Sequence, residues 1–165
     1  MFGALLGAAR SPRRISEGEL RFHGVAATVA LDRQGDRMSE AALEGMATGG
    51  PVPLLERHGG QAVGTVERRW VEDGELRVEG RLGQALAGRS RALSVGGRVR
   101  EVRYEADAGT AGTVRCVEAA ELHHVALCEP SEAQNPETWV EEGRGEGWWR
   151  KDEATAVGEA GARLG

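Results

Sequence analysis

Residues 62–82 read Ala-Val-Gly-Thr-Val-Glu-Arg-Arg-Trp-Val-Glu-Asp-Gly-Glu-Leu-Arg-Val-Glu-Gly-Arg-Leu. Apolar and polar residues alternate on both sides of Asp73-Gly74, the period of strands that bury one face and expose the other. An Asp-Gly pair between two such runs is the strongest short-range signal for a tight hairpin, because both residues tolerate the left-handed backbone of a two-residue turn. The stretch predicts two antiparallel neighbours, Ala62 to Glu72 and Glu75 to Leu82. Working outward, the same alternation marks Glu19 to Leu31, Val52 to Arg57, Ala92 to Tyr104 and Thr113 to Glu129. The expected fold is mainly β, a closed or partly open β-barrel of about six to seven strands with two or more short flanking helices. One helix is expected where Ser39 precedes Glu40-Ala41-Ala42-Leu43-Glu44-Gly45-Met46, with acids in the first turn and Gly49-Gly50 to end it. A second is expected from Gly83 to Arg91, where Gln84, Ala85, Leu86 and Ala87 favour it and Gly88 opposes it.

The 165 residues suit one domain large enough to form a core without disulfides or metals, so Cys116 and Cys128 need not be bonded. With 26 acidic against 21 basic side chains and a net charge of -5, the chain lacks the basic footprint of a nucleic-acid binder, and no nucleic-acid partner is expected. Its longest apolar stretch, within Met1 to Ala9, falls far short of the ~20 residues of a membrane span and follows no basic leader. No membrane association is expected, and a reducing cytoplasm is the expected compartment. Residues 1–18 read as an N-terminal extension, 19–136 as the barrel domain, and 137–165 as a polar, glycine-rich C-terminal tail. Within that tail Trp148-Trp149 needs somewhere to dock, either on this chain's own barrel or on a partner.

The candidates for chemistry at neutral pH are His23, His58, His123 and His124 and a few serines. His58 closes the run Pro51-Val52-Pro53-Leu54-Leu55-Glu56-Arg57 and is followed by Gly59-Gly60, a strand end where a side chain is held yet exposed. Ser94 stands in Arg91-Ala92-Leu93-Ser94-Val95-Gly96-Gly97-Arg98, where two glycines permit close approach and leave backbone N–H groups accessible. That would suit a nucleophile beside an oxyanion site, and it would equally suit a bulge. The spacing is not the Gly-x-Ser-x-Gly elbow. His123 and His124 are adjacent in a strand, so their side chains point to opposite faces and only one enters a given site. Zinc ligand types are present in His23, His58, the paired histidines and the cysteines, but no Cys-x-x-Cys or His-Glu-x-x-His spacing organises them. No metal and no cofactor are expected.

Between Leu20 and Pro136 the order of motifs resembles the prohead serine proteases of tailed phages, whose barrel is related to the herpesvirus assemblins. Gly24-Val25-Ala26 followed by Leu31-Asp32-Arg33-Gln34-Gly35-Asp36-Arg37 is similar to the family's entry into its short helix. Pro53-Leu54-Leu55-Glu56-Arg57-His58, then Ala62-Val63-Gly64-Thr65-Val66 and the hairpin, is similar to the segment carrying the general base. Ala92-Leu93-Ser94-Val95-Gly96-Gly97 is similar to the Leu-Ser-Ile-Gly-aromatic motif of the nucleophile, with Gly97 in place of the aromatic. Glu121-Leu122-His123-His124-Val125-Ala126-Leu127-Cys128-Glu129-Pro130 is similar to the closing strand, with His124 where many members carry an acid and Pro130-Ser131-Glu132-Ala133 in place of the usual turn.

The resemblance implies an assemblin-like barrel and a serine endopeptidase acting inside the assembling procapsid in the host cytoplasm. Its substrate would be scaffold or capsid protein, and itself where it is self-processed. Ser94 would be the nucleophile, His58 the general base and His124 the residue that orients His58, with the backbone amides of Gly96 and Gly97 as oxyanion donors. A homo-oligomer is compatible with the same reading. A neutral imidazole cannot offset a developing imidazolium as a carboxylate does, so turnover should be slow. The alternative is a catalytically silent barrel homologue serving as an assembly or structural virion protein.

Overall fold

The computed structural model describes residues 18–107, 109 and 112–150. The N-terminal extension expected at 1–18 lies, except for Gly18, outside the described residues, as does the chain after 150. In chain order the elements are β1 (Leu20–Thr28), β2 (Asp36–Met38), α1 (Glu40–Ala47), β3 (Val52–Leu55), β4 (Ala62–Glu72), β5 (Glu75–Leu82), β6 (Ala92–Ala106), β7 (Thr113–Cys128) and β8 (Trp139–Arg144). The fold is mainly β, a partly open barrel with short helices, as the alternation predicts. All eight strands join one curled sheet in the order β2-β7-β3-β4-β5-β1-β8, and β6 pairs with β7 outside that path.

The hairpin at Asp73-Gly74 forms as expected. Glu72 faces Glu75 across it, and Asp73 and Gly74 take φ of 53° and 70°, the left-handed backbone of a two-residue turn. Along β5 the buried Leu76, Val78 and Leu82 alternate with partly exposed arginines and join Phe22, Leu43, Met46, Leu54, Val66, Leu93 and Val125 in a single core. α1 starts where Ser39 accepts a hydrogen bond from the Ala42 N–H at 3.0 Å, and it buries Ala42, Leu43 and Met46. Arg69 of β4 finishes it, donating to the carbonyls of Met46, Thr48 and Gly50 at 2.7, 2.5 and 2.7 Å. Those carbonyls lie where a helix end runs out of internal partners.

Two sequence expectations need correction. Residues 83–91 form turns, not a helix. Only Leu86 of that stretch is buried, and its N–H is taken by the Glu142 carboxylate at 3.0 Å. Glycines at 83 and 88 leave too little helix propensity to resist. The barrel also does not end at 136, because β8 pairs with β1 from Leu20↔Arg144 to Val25↔Trp139. Unanticipated in the sequence, β2 is a strand of three residues, parallel to β7 and tied to it by the Asp36–Arg115 ion pair at 3.1 Å. Helical backbone resumes at 148–150, where Trp149 stacks on His23 of β1 at 4.7 Å between ring centres. Of the two docking partners open to Trp148-Trp149, the chain's own barrel is the one seen. No helix among the described residues is long and apolar enough to cross a membrane.

Candidate active site

Three elements converge on the candidate site. β3 lies parallel to β7, with Leu54 opposite Val125 and Leu55 opposite Ala126, and antiparallel to β4. The link between β3 and β4 is short, closed by Glu56 N–H to Gln61 O at 2.8 Å and Gly60 N–H to Arg57 O at 2.8 Å. His58 is carried on that closed link. On the other side of β7, β6 runs antiparallel with Ser94 opposite Ala126 and Gly96 opposite His124. Ser94 and Gly96 therefore share one face of β6, beside the same stretch of β7 that pairs with β3.

The three side chains make an unbroken hydrogen-bonded row. His58 Nε2 lies 2.7 Å from Ser94 Oγ, and His58 Nδ1 lies 2.8 Å from His124 Nε2. The two imidazole planes are inclined at 69°. For Ser94 to donate its proton to His58, the His58 ring must carry its own proton on Nδ1. That N–H then donates to Nε2 of a neutral His124. His124 is suited to the acceptor role, because burial, then the neighbouring His58 and His123, lower its pKa below the ordinary histidine value.

Gly96 makes the row possible. A Cβ there would stand 2.1 Å from both Cε1 and Nε2 of His124, so the ring occupies the place of the missing side chain. The missing side chain at Gly96 thus admits the ring, whatever its backbone N–H does. Gly97 serves the backbone, since a Cβ there would stand 1.9 Å from the Glu121 carbonyl oxygen. Along an extended strand Gly97 lies about 10 Å from Ser94. Both glycines flank a bulge where Gly96 faces His124 but Gly97 faces Leu122, leaving His123 as the extra residue. The bulge changes the phase of β7, so that Leu122 and Val125 are both buried.

The remaining candidates lie elsewhere. His123 is exposed beside Glu121 at 3.7 Å. His23 stands among Trp139, Trp148 and Trp149. Burial raises the pKa of both Cys116 and Cys128, which favours their protonated thiol form. Among the described residues no group of three or more His, Cys, Asp or Glu is arranged to hold a metal ion.

A cavity of about 270 Å³ opens where β6 and the end of β1 part, lined by Ser94, Val95, Gly97, Ala27, Met38 and Asn135 among others. Neither His58 nor His124 lines it. The sequence reading missed one residue at this seam, Thr138, whose hydroxyl contacts both the N–H and the C=O of Leu93. Nothing in the local sequence marks it, because its importance comes from the approach of two sheet ends.

The chain matches no protein-family model, and neither the curated proteins nor the solved structures contain a match to it.

Proposed function

We propose that the protein is a serine endopeptidase of the phage prohead type, with Ser94 as nucleophile, His58 as general base and His124 as the residue that holds His58. The observation that carries this reading is the row Ser94 Oγ, His58 and His124 with contacts of 2.7 and 2.8 Å. Ser94 Oγ attacks a peptide carbonyl carbon while His58 Nε2 takes its proton. The tetrahedral intermediate collapses, the C–N bond breaks, and His58 returns the proton to the leaving amine. Water then attacks the acyl-enzyme, His58 again relaying the proton, and Ser94 is regenerated.

The open edge of β6 supports a polymeric substrate. Leu93 turns its backbone groups away from β7, where Thr138 Oγ1 takes both, and by the alternation of an antiparallel ladder Val95 turns its own outward beside it. Among the described residues no strand pairs with that edge. An extended peptide can lie there, beside Ser94 and over the cavity. The substrate proposed is capsid or scaffold protein inside a procapsid, where a slow enzyme meets its target at high local concentration.

The test combines chemical labelling with processing. A fluorophosphonate should attach to Ser94 in the wild-type protein, and S94A should abolish both labelling and cleavage of co-expressed capsid or scaffold protein. Intact processing by S94A would overturn the assignment. Among the described residues no carboxylate forms an ion pair with His58 or His124, which favours the silent homologue as the second reading. An unlabelled wild-type protein recovered with unprocessed capsid components would establish that alternative.

A further inference from the structure

Resting on the reading of Ser94 as nucleophile, we infer that Thr138 is a positioning residue for it, a single hydroxyl acting on the outer edge of β6, where no strand pairs among the described residues. Thr138 is 6 % exposed, and its Oγ1 accepts from the Leu93 N–H at 3.2 Å and donates to the Leu93 carbonyl at 2.8 Å. A hydroxyl has one proton, and the 3.1 Å approach to Asn135 O is the longer of its two acceptor contacts. Both backbone groups of the residue before Ser94 therefore end on one side chain. The Leu93 carbonyl belongs to the peptide plane that continues into Ser94, so its tilt sets where Ser94 Oγ meets His58 Nε2.

The arrangement follows from the topology. Among the described residues β6 pairs only with β7 and β8 only with β1, and the two sheet ends meet at this seam. Among the described residues one backbone bond crosses it, Val140 N–H to Arg91 O at 3.1 Å, and beside the Arg91–Glu142 ion pair at 3.9 Å the Thr138 hydroxyl holds Leu93. Thr138 is itself held firmly. Asn135 Nδ2 donates to Thr28 Oγ1 at 2.9 Å, Thr28 Oγ1 donates to Glu137 at 3.1 Å, and Gln134 donates to Asp32 at 2.6 Å. The hydroxyl thus reaches Leu93 from a loop fixed to β1, while His58 is carried by the β3–β4 link. Nucleophile and base sit on separate elements, and the hydroxyl governs one of the two.

The test is the kinetics of fluorophosphonate labelling in wild type, T138V, T138S and S94A, with folding checked by near-UV circular dichroism and thermal melting. T138V keeps the shape and loses the hydroxyl. Its limiting labelling rate at saturating probe should fall about tenfold to a hundredfold, the cost of a misplaced reacting atom, with the half-saturating probe concentration little changed. T138S keeps the hydroxyl and should label within about threefold of wild type. If T138V does not fold, T138A is measured in its place with the same expectation. A folded T138V that labels at the wild-type rate overturns the role of Thr138 alone. Wild-type protein that does not label at Ser94 overturns the nucleophile reading and this inference with it.

Discussion

An imidazole in the third position of the row changes how the site responds to protons. His124 is pushed below the ordinary histidine value of 6.5 by burial first, then by His58 and His123. In the unfolded chain the same group titrates near 6.5, so as pH falls the unfolded state takes up the proton before the native state does. This contribution to stability is fully present above about 6.5 and is lost as pH falls below that value toward the lower native one. Replacing His124 by Gln removes that titration. In urea unfolding between pH 7.5 and 5.5, H124Q should lose less stability than wild type over the same interval. Equal losses in the two proteins would contradict a lowered His124. Activity should follow the same sign, because a protonated His124 has no lone pair at Nε2 to receive the His58 N–H.

At the scale of single elements, α1 depends on a residue far from it in sequence. Arg69 reaches from β4 to three carbonyls at the helix end, and its burial lowers its pKa. A methionine at position 69 keeps the stem and removes all three donors, leaving those carbonyls to water or to nothing. R69M should destabilise the protein by about 1.5–3 kcal/mol, measured by urea denaturation, the range expected for hydrogen bonds to a charged group. A shift of only a few tenths would show that water replaces the guanidinium freely.

The elements also differ in how readable they were. The β4–β5 hairpin was legible because Asp73-Gly74 determines its turn locally and Leu76, Val78 and Leu82 mark its buried face. β8 was not, since Val140 is its one fully buried residue and its strand form is imposed by pairing with β1. Residues 83–91 went the other way, local helix formers overruled by a buried Leu86 and the Glu142 carboxylate. For the site, a strand end before Gly59-Gly60 marked His58 and the adjacent Gly96-Gly97 marked Ser94, and only the resemblance grouped them with His124. The bulge at His123 and the space left at Gly96 become visible once β6 and β7 are in register.

For the whole molecule, the open barrel is fastened at two places along its last strand. Thr138 secures the start of β8 beside the candidate nucleophile, and an aromatic cluster secures the chain beyond its end. His23 stacks on Trp149 with planes 4° apart, Trp139 and Trp148 meet His23 edge-on at 5.0 and 5.1 Å, and Trp70 stacks on Trp149 at 6.0 Å. Beneath them the buried Glu79 carboxylate accepts from Arg68, Trp149 Nε1 and Arg150 at 2.9, 3.1 and 3.0 Å. All four tryptophans of the chain are in this cluster, so intrinsic fluorescence reports on this fastening and not on Ser94. Trp149→Ala removes the central ring and one donor to a buried carboxylate. Because Trp149 is only partly buried, the loss should be about 2–4 kcal/mol, at or below the usual cost of truncating a core aromatic. Chemical denaturation followed by far-UV circular dichroism measures that loss without relying on the altered fluorescence. Ser94 labelling in the folded W149A protein should stay within about threefold of wild type, because the Thr138 contact at the other end of β8 is untouched. Unchanged stability would mean that the cluster fastens nothing. A collapse of labelling in folded W149A would mean that the two fastenings act as one.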